Sequence, residues 1–144
     1  MKGGEKVPKK DIGYLIKNIN DKLKVKADAD LKSYNLTLTQ SRVFAYLNSC
    51  GGQATQKEIE IFLEVSHPTV VGIVSRMEQK GYLTTWQSED KRNKNVKLTM
   101  QAEAIGNDME QNIKANERML LSPLSKSEQE QLREMLGRIY KNLE

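Results

Sequence analysis

The sequence predicts a mainly helical fold of the α+β kind, in which one short β-hairpin interrupts a run of amphipathic helices. Three observations predict it. Apolar residues recur at steps of three and four along most of the 144-residue chain, the spacing of one helix face. A Ser or Thr followed three residues later by Glu or Gln occurs at Thr37/Gln40, Thr55/Glu58 and Ser125/Glu128, the spacing of a helix-starting capping box. Residues 82–98 alone switch to alternation around a charged loop, which suits two strands and a turn.

Each element follows in order. Ile12, Leu15, Ile16, Ile19 and Leu23 place one apolar stripe on a helix over 11–33, and Asn35 tolerates the left-handed conformation that ends helices. Thr37 opens a second helix, with Val43, Phe44 and Leu47 as its buried stripe and Gly51-Gly52 as its end. Thr55 opens a short helix over 56–63 whose inner face is Ile59, Phe62 and Leu63. After the turn Glu64-Val65, Ser66 is an N-cap and Pro68 fits a first turn that has no use for its amide hydrogen. Val70, Ile73, Val74 and Met77 face the core of the helix over 67–80, which Gly81 closes. Tyr82–Gln87 and Asn95–Leu98 read as strands flanking the polar loop 88–94. Thr99 caps a long helix to about Leu121, with Ile105, Met109, Ile113 and Leu120 inward, and Pro123 breaks it. Leu132, Met135, Leu136, Ile139 and Leu143 stripe the last helix, after Ser125.

Composition excludes several function classes. One cysteine, Cys50, precludes an intrachain disulfide, and no Cys/His cluster has metal-ligand spacing, so no cofactor or metal is expected. A single histidine, His67, leaves no nucleophile–base pair, and no Gly-rich phosphate loop is present, so an enzyme is not expected. No run reaches the length of a membrane span, and the basic segment Met1–Lys10 lacks the apolar core of a secretory signal. It reads as a short tail, and the protein is expected in the cytoplasm without a membrane partner. Lys and Arg number 23 against 19 Asp and Glu, an excess that permits a nucleic-acid partner without requiring one.

The short helix at 56–63, the turn at 64–65 and the helix at 67–80 form a helix-turn-helix, and the hairpin after it makes the winged version. Such a motif sets its second helix in a DNA major groove, with its first residues nearest the base edges. With Val70, Val74 and Met77 turned inward, the outward set is Pro68, Thr69, Val71, Gly72, Ser75 and Arg76, joined at the helix start by Ser66 and His67. Ser66 and Thr69 offer hydroxyls to phosphate or base edges, and Val71 an apolar contact for a thymine methyl. Arg76 is a candidate for phosphate or guanine, and Gly72 leaves room for close approach. Lys91, Arg92 and Lys94 surround a wing tip suited to a narrow minor groove. Asp90, two residues before Arg92, is read as a wing-orienting residue that holds the arginine by a charge-assisted bond.

These residues resemble the MarR family of transcriptional regulators. Thr55–Ile59 through Val65-Ser66 is similar to that family's first motif helix and turn. His67–Leu83 is similar to its recognition helix and first wing strand, Asp90-Lys-Arg92 to its Asp-x-Arg wing signature, and Val96–Thr99 to its return strand. The likeness extends to Leu36-Thr37 and nearly the whole chain, with 55–99 its most specific portion. It implies one MarR-like domain over 1–144: a winged helix-turn-helix over 37–99, and dimerisation helices over 11–33 and 100–144. It further implies a homodimer on a pseudo-palindromic double-stranded operator, acting as a repressor responsive to a small phenolic or lipophilic effector. The sequence departs from the family at Trp86 and Gln87, where basic or polar residues often lead into the wing, and at Asn93, which replaces a frequent second arginine.

Blander readings compete at several positions. Ser66 is first an N-cap, Lys91 and Arg92 suit any solvated hairpin tip, and Trp86 is read as packing the wing against the body. Cys50 is read as a buried or half-buried thiol without a redox role, since no cation flanks it closely. Modest net charge, with Glu89 and Asp90 in the wing, supports an alternative function: a winged-helix protein-interaction or dimerisation module without DNA binding.

Overall fold

The computed structural model describes residues 9–144, so most of the expected N-terminal tail lies outside the described residues. The order is α1 (Ile12–Leu31), a 3-10 turn (Lys32–Tyr34), α2 (Leu38–Ser49), β1 (Gln53–Thr55), α3 (Gln56–Leu63), α4 (His67–Gln79), β2 (Leu83–Gln87), β3 (Lys94–Leu98), α5 (Met100–Leu121) and α6 (Lys126–Asn142). Two compact units divide the chain, one ending at Gly106 and one formed by Asn107–Glu144. No helix among the described residues is long and apolar enough to cross a membrane.

Local signals set the helix starts. Thr37 accepts from the Gln40 amide while the Gln40 side chain returns to the Thr37 amide, and Ser125 and Glu128 make the same reciprocal pair. Thr55 caps α3 by accepting from the Glu58 amide at 3.1 Å. Asn35 ends the 3-10 turn at φ 57° and Gly81 follows α4 at φ 83°, left-handed positions where Asn and Gly meet the least steric cost.

The first unit packs around Val43, Phe44, Leu47, Ile59, Val70, Val74, Met77, Leu83 and Val96, all 2 % exposed or less. Phe44 meets Tyr82 edge-on, with ring centroids 5.6 Å apart. The hairpin pairs Leu83 with Leu98 and Thr85 with Val96. A third strand that the sequence did not announce, β1, lies antiparallel along the other edge of β3 and pairs Ala54 with Val96. The expected two-stranded wing thus belongs to a three-stranded sheet of order β1-β3-β2. Three residues wedged between a Gly-Gly turn and a helix cap are too few to show alternation.

Two expectations about burial are corrected, and the apolar face expected on α1 proves uncovered. Phe62 is half-exposed and stacks on Tyr46, with centroids 4.4 Å apart, while Ile59 is the buried apolar anchor of α3. Cys50 is exposed rather than buried, because α2 has already ended there. Ile12, Leu15, Ile16 and Ile19 lie exposed along α1, whose buried residues are Ala27 and Leu31.

In the second unit, Gln129 Nε2 donates to the carbonyls of Leu121 and Leu124, both at 3.1 Å, tying the start of α6 to the end of α5. Met135, Leu136, Ile139, Tyr140 and Leu143 are exposed along α6. Periodicity identified both apolar stripes correctly, but within one chain they are uncovered.

The contrast on α3 is measurable. Ile59→Ala, which empties a fully enclosed site, is expected to cost about 2–5 kcal/mol. Phe62→Ala, which removes a half-exposed ring, is expected to cost less, and urea denaturation of the two variants compares them directly.

Candidate nucleic-acid interface

The rotation of α4 decides which side chains are presented. Val70, Ile73, Val74 and Met77 are buried on its inner side. On the other side Ser66, His67, Pro68, Thr69, Val71, Ser75 and Arg76 are exposed, and Gly72 is half-buried. The structure therefore gathers every residue predicted for this helix onto one accessible edge.

At the start of the helix, Ser66 Oγ lies 2.8 Å from Thr69 Oγ1 and accepts from the Thr69 amide at 3.4 Å. This is a hydroxyl pair at the end where a helix favours anions. His67 does not stand alone: its Nδ1 is 2.8 Å from Glu60 Oε2 on α3. One turn further, the Arg76 guanidinium folds back over Gly72, so that a Cβ built at Gly72 would lie 3.3 Å from Arg76 Nη1. The glycine thus seats the arginine; no partner backbone is needed to explain it.

The far end of the helix is braced. Lys80 Nζ donates to the Asn35 carbonyl and, at 3.0 Å, to Gln40 Oε1. Tyr82 Oη donates to the Tyr34 carbonyl at 2.7 Å. Thr85 Oγ1 donates to Glu78 Oε2, joining α4 to the first strand of the wing.

In the wing, Lys91, Arg92 and Lys94 are exposed, and Arg92 enters no ion pair among the described residues. Asp90 acts differently from the expectation. Its carboxylate accepts from the Ser88 hydroxyl and, at 3.1 Å, from the Arg92 backbone amide. It shapes the turn and leaves the guanidinium free. The Ser88 amide donates to the Asn93 carbonyl at 2.9 Å, and Gln87 Nε2 to the Lys91 carbonyl at 2.8 Å, inside the same turn. Lys91 takes φ 57° there, a strained setting for a residue with a Cβ. The Ser88 hydroxyl, followed by the Arg92 amide, holds the Asp90 carboxyl below its ordinary range. Trp86 is exposed and alternates with Thr85 and Gln87 along β2, so it points to the opposite face of the hairpin.

Between α3, α4 and the wing lies an open hollow of about 530 Å³ lined by Lys57, Glu60, His67, Val71, Ser75, Glu78, Thr85, Gln87, Arg92, Asn93 and Lys94. Sequence reasoning missed the two acids and Lys57. A signal for Glu60 was present: it is the one charge inside the apolar run Ile59–Leu63. No group of three or more His, Cys, Asp or Glu among the described residues is arranged to hold a metal.

The fold that carries this surface matches known proteins. The profile of the MarR family matches residues 34–92. The HTH-type transcriptional regulator PecS of Dickeya dadantii is 31% identical over 119 residues, spanning 81% of this chain and 72% of PecS. The chain belongs to the MarR family. YwoH, an HTH-type transcriptional regulator of Bacillus subtilis, is 39% identical over 93 residues, covering 62% of this chain and 67% of YwoH. The crystal structure of the S. aureus MepR–DNA complex superposes with a TM-score of 0.88 at 27% identity, covering 94% of this chain and 100% of MepR. As a MarR-family member the chain is a transcriptional regulator and not an enzyme.

Two outcomes follow for the site. Gly72→Ala forces the Arg76 guanidinium to move by a few tenths of an ångström, which a changed Arg76 side-chain NMR signal with unchanged α4 amides would register. For Asp90, the lowered folded value means its contribution to the turn is complete above the ordinary carboxylate range of about 4. That contribution is lost as pH falls through the lowered value. Protection of the Arg92 amide from hydrogen exchange, taken relative to the intrinsic rate at each pH, should therefore fall toward the acid end in the wild type, and be low at every pH in Asp90→Ala.

Proposed function

We propose that this MarR-family chain is a sequence-specific double-stranded-DNA-binding repressor that acts as a homodimer on a pseudo-palindromic operator and responds to a small phenolic or lipophilic effector. The observation that carries DNA binding is the exposed edge of α4, with its capped N-terminus and Arg76, next to a wing tip bearing Lys91, Arg92 and Lys94. A major groove about 12 Å wide admits such a helix, and the likeness to MepR in its DNA complex supports the same use here. Ser66, His67, Pro68, Thr69, Val71, Gly72, Ser75 and Arg76 form the major-groove set in this reading. Lys91, Arg92 and Lys94 serve the neighbouring minor groove and phosphates, and Asp90 fixes the wing turn.

The exposed apolar stripes of α1 and α6 support the homodimer. Ile12, Leu15, Ile16 and Ile19 on one helix and Met135, Leu136, Ile139 and Leu143 on the other stand 41 to 78 % exposed. Monomeric surfaces rarely keep contiguous apolar faces of this kind uncovered. Family membership is what supports repression and effector response.

A fluorescence-anisotropy titration with a duplex selected from a random-sequence pool tests the DNA reading. Affinity should fall steeply with salt as counterions are released. Arg92→Ala should weaken binding by about tenfold or more and flatten that salt slope. Binding of the wild type that ignores salt, or no binding at low ionic strength, would favour the interaction-module alternative. Sedimentation equilibrium tests the dimer: Ile16→Glu or Leu136→Glu should shift the mass toward one chain.

A further inference from the structure

His67 is the chain's one histidine, and its ring is engaged on a single side. Nδ1 lies 2.8 Å from Glu60 Oε2, with the Glu60 side chain 10 % exposed and the imidazole 67 % exposed. The carboxylate therefore sits low in the hollow and the ring stands above it. Its other oxygen faces Lys57 Nζ at 3.9 Å. An ionised carboxylate has no hydrogen to give, so Nδ1 carries one whether the ring is neutral or charged. All change of state is confined to Nε2, which bonds no described residue. It offers a lone pair when the ring is neutral and an N–H when it is charged.

Resting on the reading of α4 as the duplex-facing helix, we infer that Glu60 positions His67 with Nε2 toward the DNA, and that duplex binding takes up one proton at that atom. The argument is one of charge and direction. With a neutral ring, the Glu60–His67 pair carries one negative charge and points a lone pair at a polyanion. With a charged ring, the pair is neutral overall and points a donor at phosphate oxygens or at the N7 and O6 acceptors of guanine. A ligand that binds the protonated form better draws the proton from solvent, by linkage.

Groups around the ring act in both directions. Glu60 from α3 and Glu78 from α4 favour the charged ring, whereas Lys57 from α3, Arg92 and Lys94 from the wing side oppose it, all lining the same hollow. The N-terminal end of α4 opposes it as well. Bound phosphates neutralise those three cations, so the opposition weakens in the complex while the support from Glu60 persists.

The single histidine makes the test direct. The ring nitrogens of labelled full-length protein are followed by NMR across about pH 5.5 to about 8.5, free and bound to a duplex selected by the wild type from a random pool. Anisotropy titrations with the same duplex cover the same pH range. In the free protein the neutral ring should be the Nδ1–H tautomer. The midpoint of its titration should rise on adding duplex, and affinity should weaken with rising pH by up to about tenfold per unit. His67→Asn, which keeps a donor for Glu60 but has no Nε2, should fold, bind and lose the pH slope. Glu60→Gln should reduce that slope and relax the tautomer preference, a change that a merely structural role for Glu60 would not produce. An Nε2–H tautomer in the free protein, or a midpoint that stays or falls on binding, overturns the inference. Binding that is flat with pH overturns it alone and leaves the DNA reading intact. Absence of duplex binding at every pH overturns both.

Discussion

A helix offered to a partner must be held from behind at a fixed rotation, and here four side chains set that rotation. Val70, Ile73, Val74 and Met77 are sealed into the first unit. Since each residue turns the helix by about 100°, slipping the buried stripe by one position would exchange Val70 for Val71 and Ile73 for Val74, and would carry Ser75 toward the core. Such a slip would expose apolar surface and bury a hydroxyl together. The outward edge is thus determined by the inward one. The ends are fixed by other means: Ser66 caps the start, and Lys80 and Tyr82 tie the finish to the backbone of Tyr34 and Asn35. The brace makes the joint between α1 and α2 part of the support of α4, so a displacement at that joint acts on the helix through hydrogen bonds rather than through loose packing.

The acids near the wing are the feature that argues against a nucleic-acid surface, and their contacts remove most of that force. Asp90 spends its charge on the Ser88 hydroxyl and the Arg92 amide. Glu78 receives the Thr85 hydroxyl, and Glu60 is shared by His67 and Lys57. These three carboxylates each orient a neighbour, whereas Glu89 stands exposed in the wing. The cations are arranged differently: Arg92 at the tip is unpaired among the described residues, and Arg76 lies along its own helix on the surface left by Gly72.

What could be read from the sequence divides along physical lines. Helix boundaries were legible because capping is local: Thr37/Gln40 and Ser125/Glu128 carry their own geometry in four residues. The outward face of α4 was legible because its inward face has strict period. Strand β1 was not, since Gln53–Thr55 is too short for alternation and its pairing with Lys97, Val96 and Asn95 is decided some forty residues later. Phe62 was misplaced because a short helix of apolar residues does not say which of them faces in; Tyr46, from α2, gave its ring an alternative partner. Glu60 and His67 meet across a turn, a separation of seven residues that no periodicity rule singles out. Asp90 was recognised as a wing residue, but whether it grips a side chain or an amide is a matter of turn geometry that sequence does not encode directly.

The apolar stripes on α1 and α6 show a further boundary of sequence reasoning. Period-3.6 patterning says that a face avoids water, and it is silent on whether the same chain provides the cover. In α2 and α4 the cover is internal, and the pattern and the burial agree. In α1 only Ala27 and Leu31, near the end that joins α2, are buried, while the isoleucines toward its start are not. Covering the remainder by elongating this chain would require an element that the described residues do not contain. In the homodimer proposed above, a second copy would supply the missing surface without new sequence, and two-fold symmetry would then place two copies of α4 on one duplex, which is the arrangement an inverted repeat demands. On that proposal the uncovered stripes and the exposed edge of α4 have one common reason: each chain folds half a binding site, and the other half would be the same chain again.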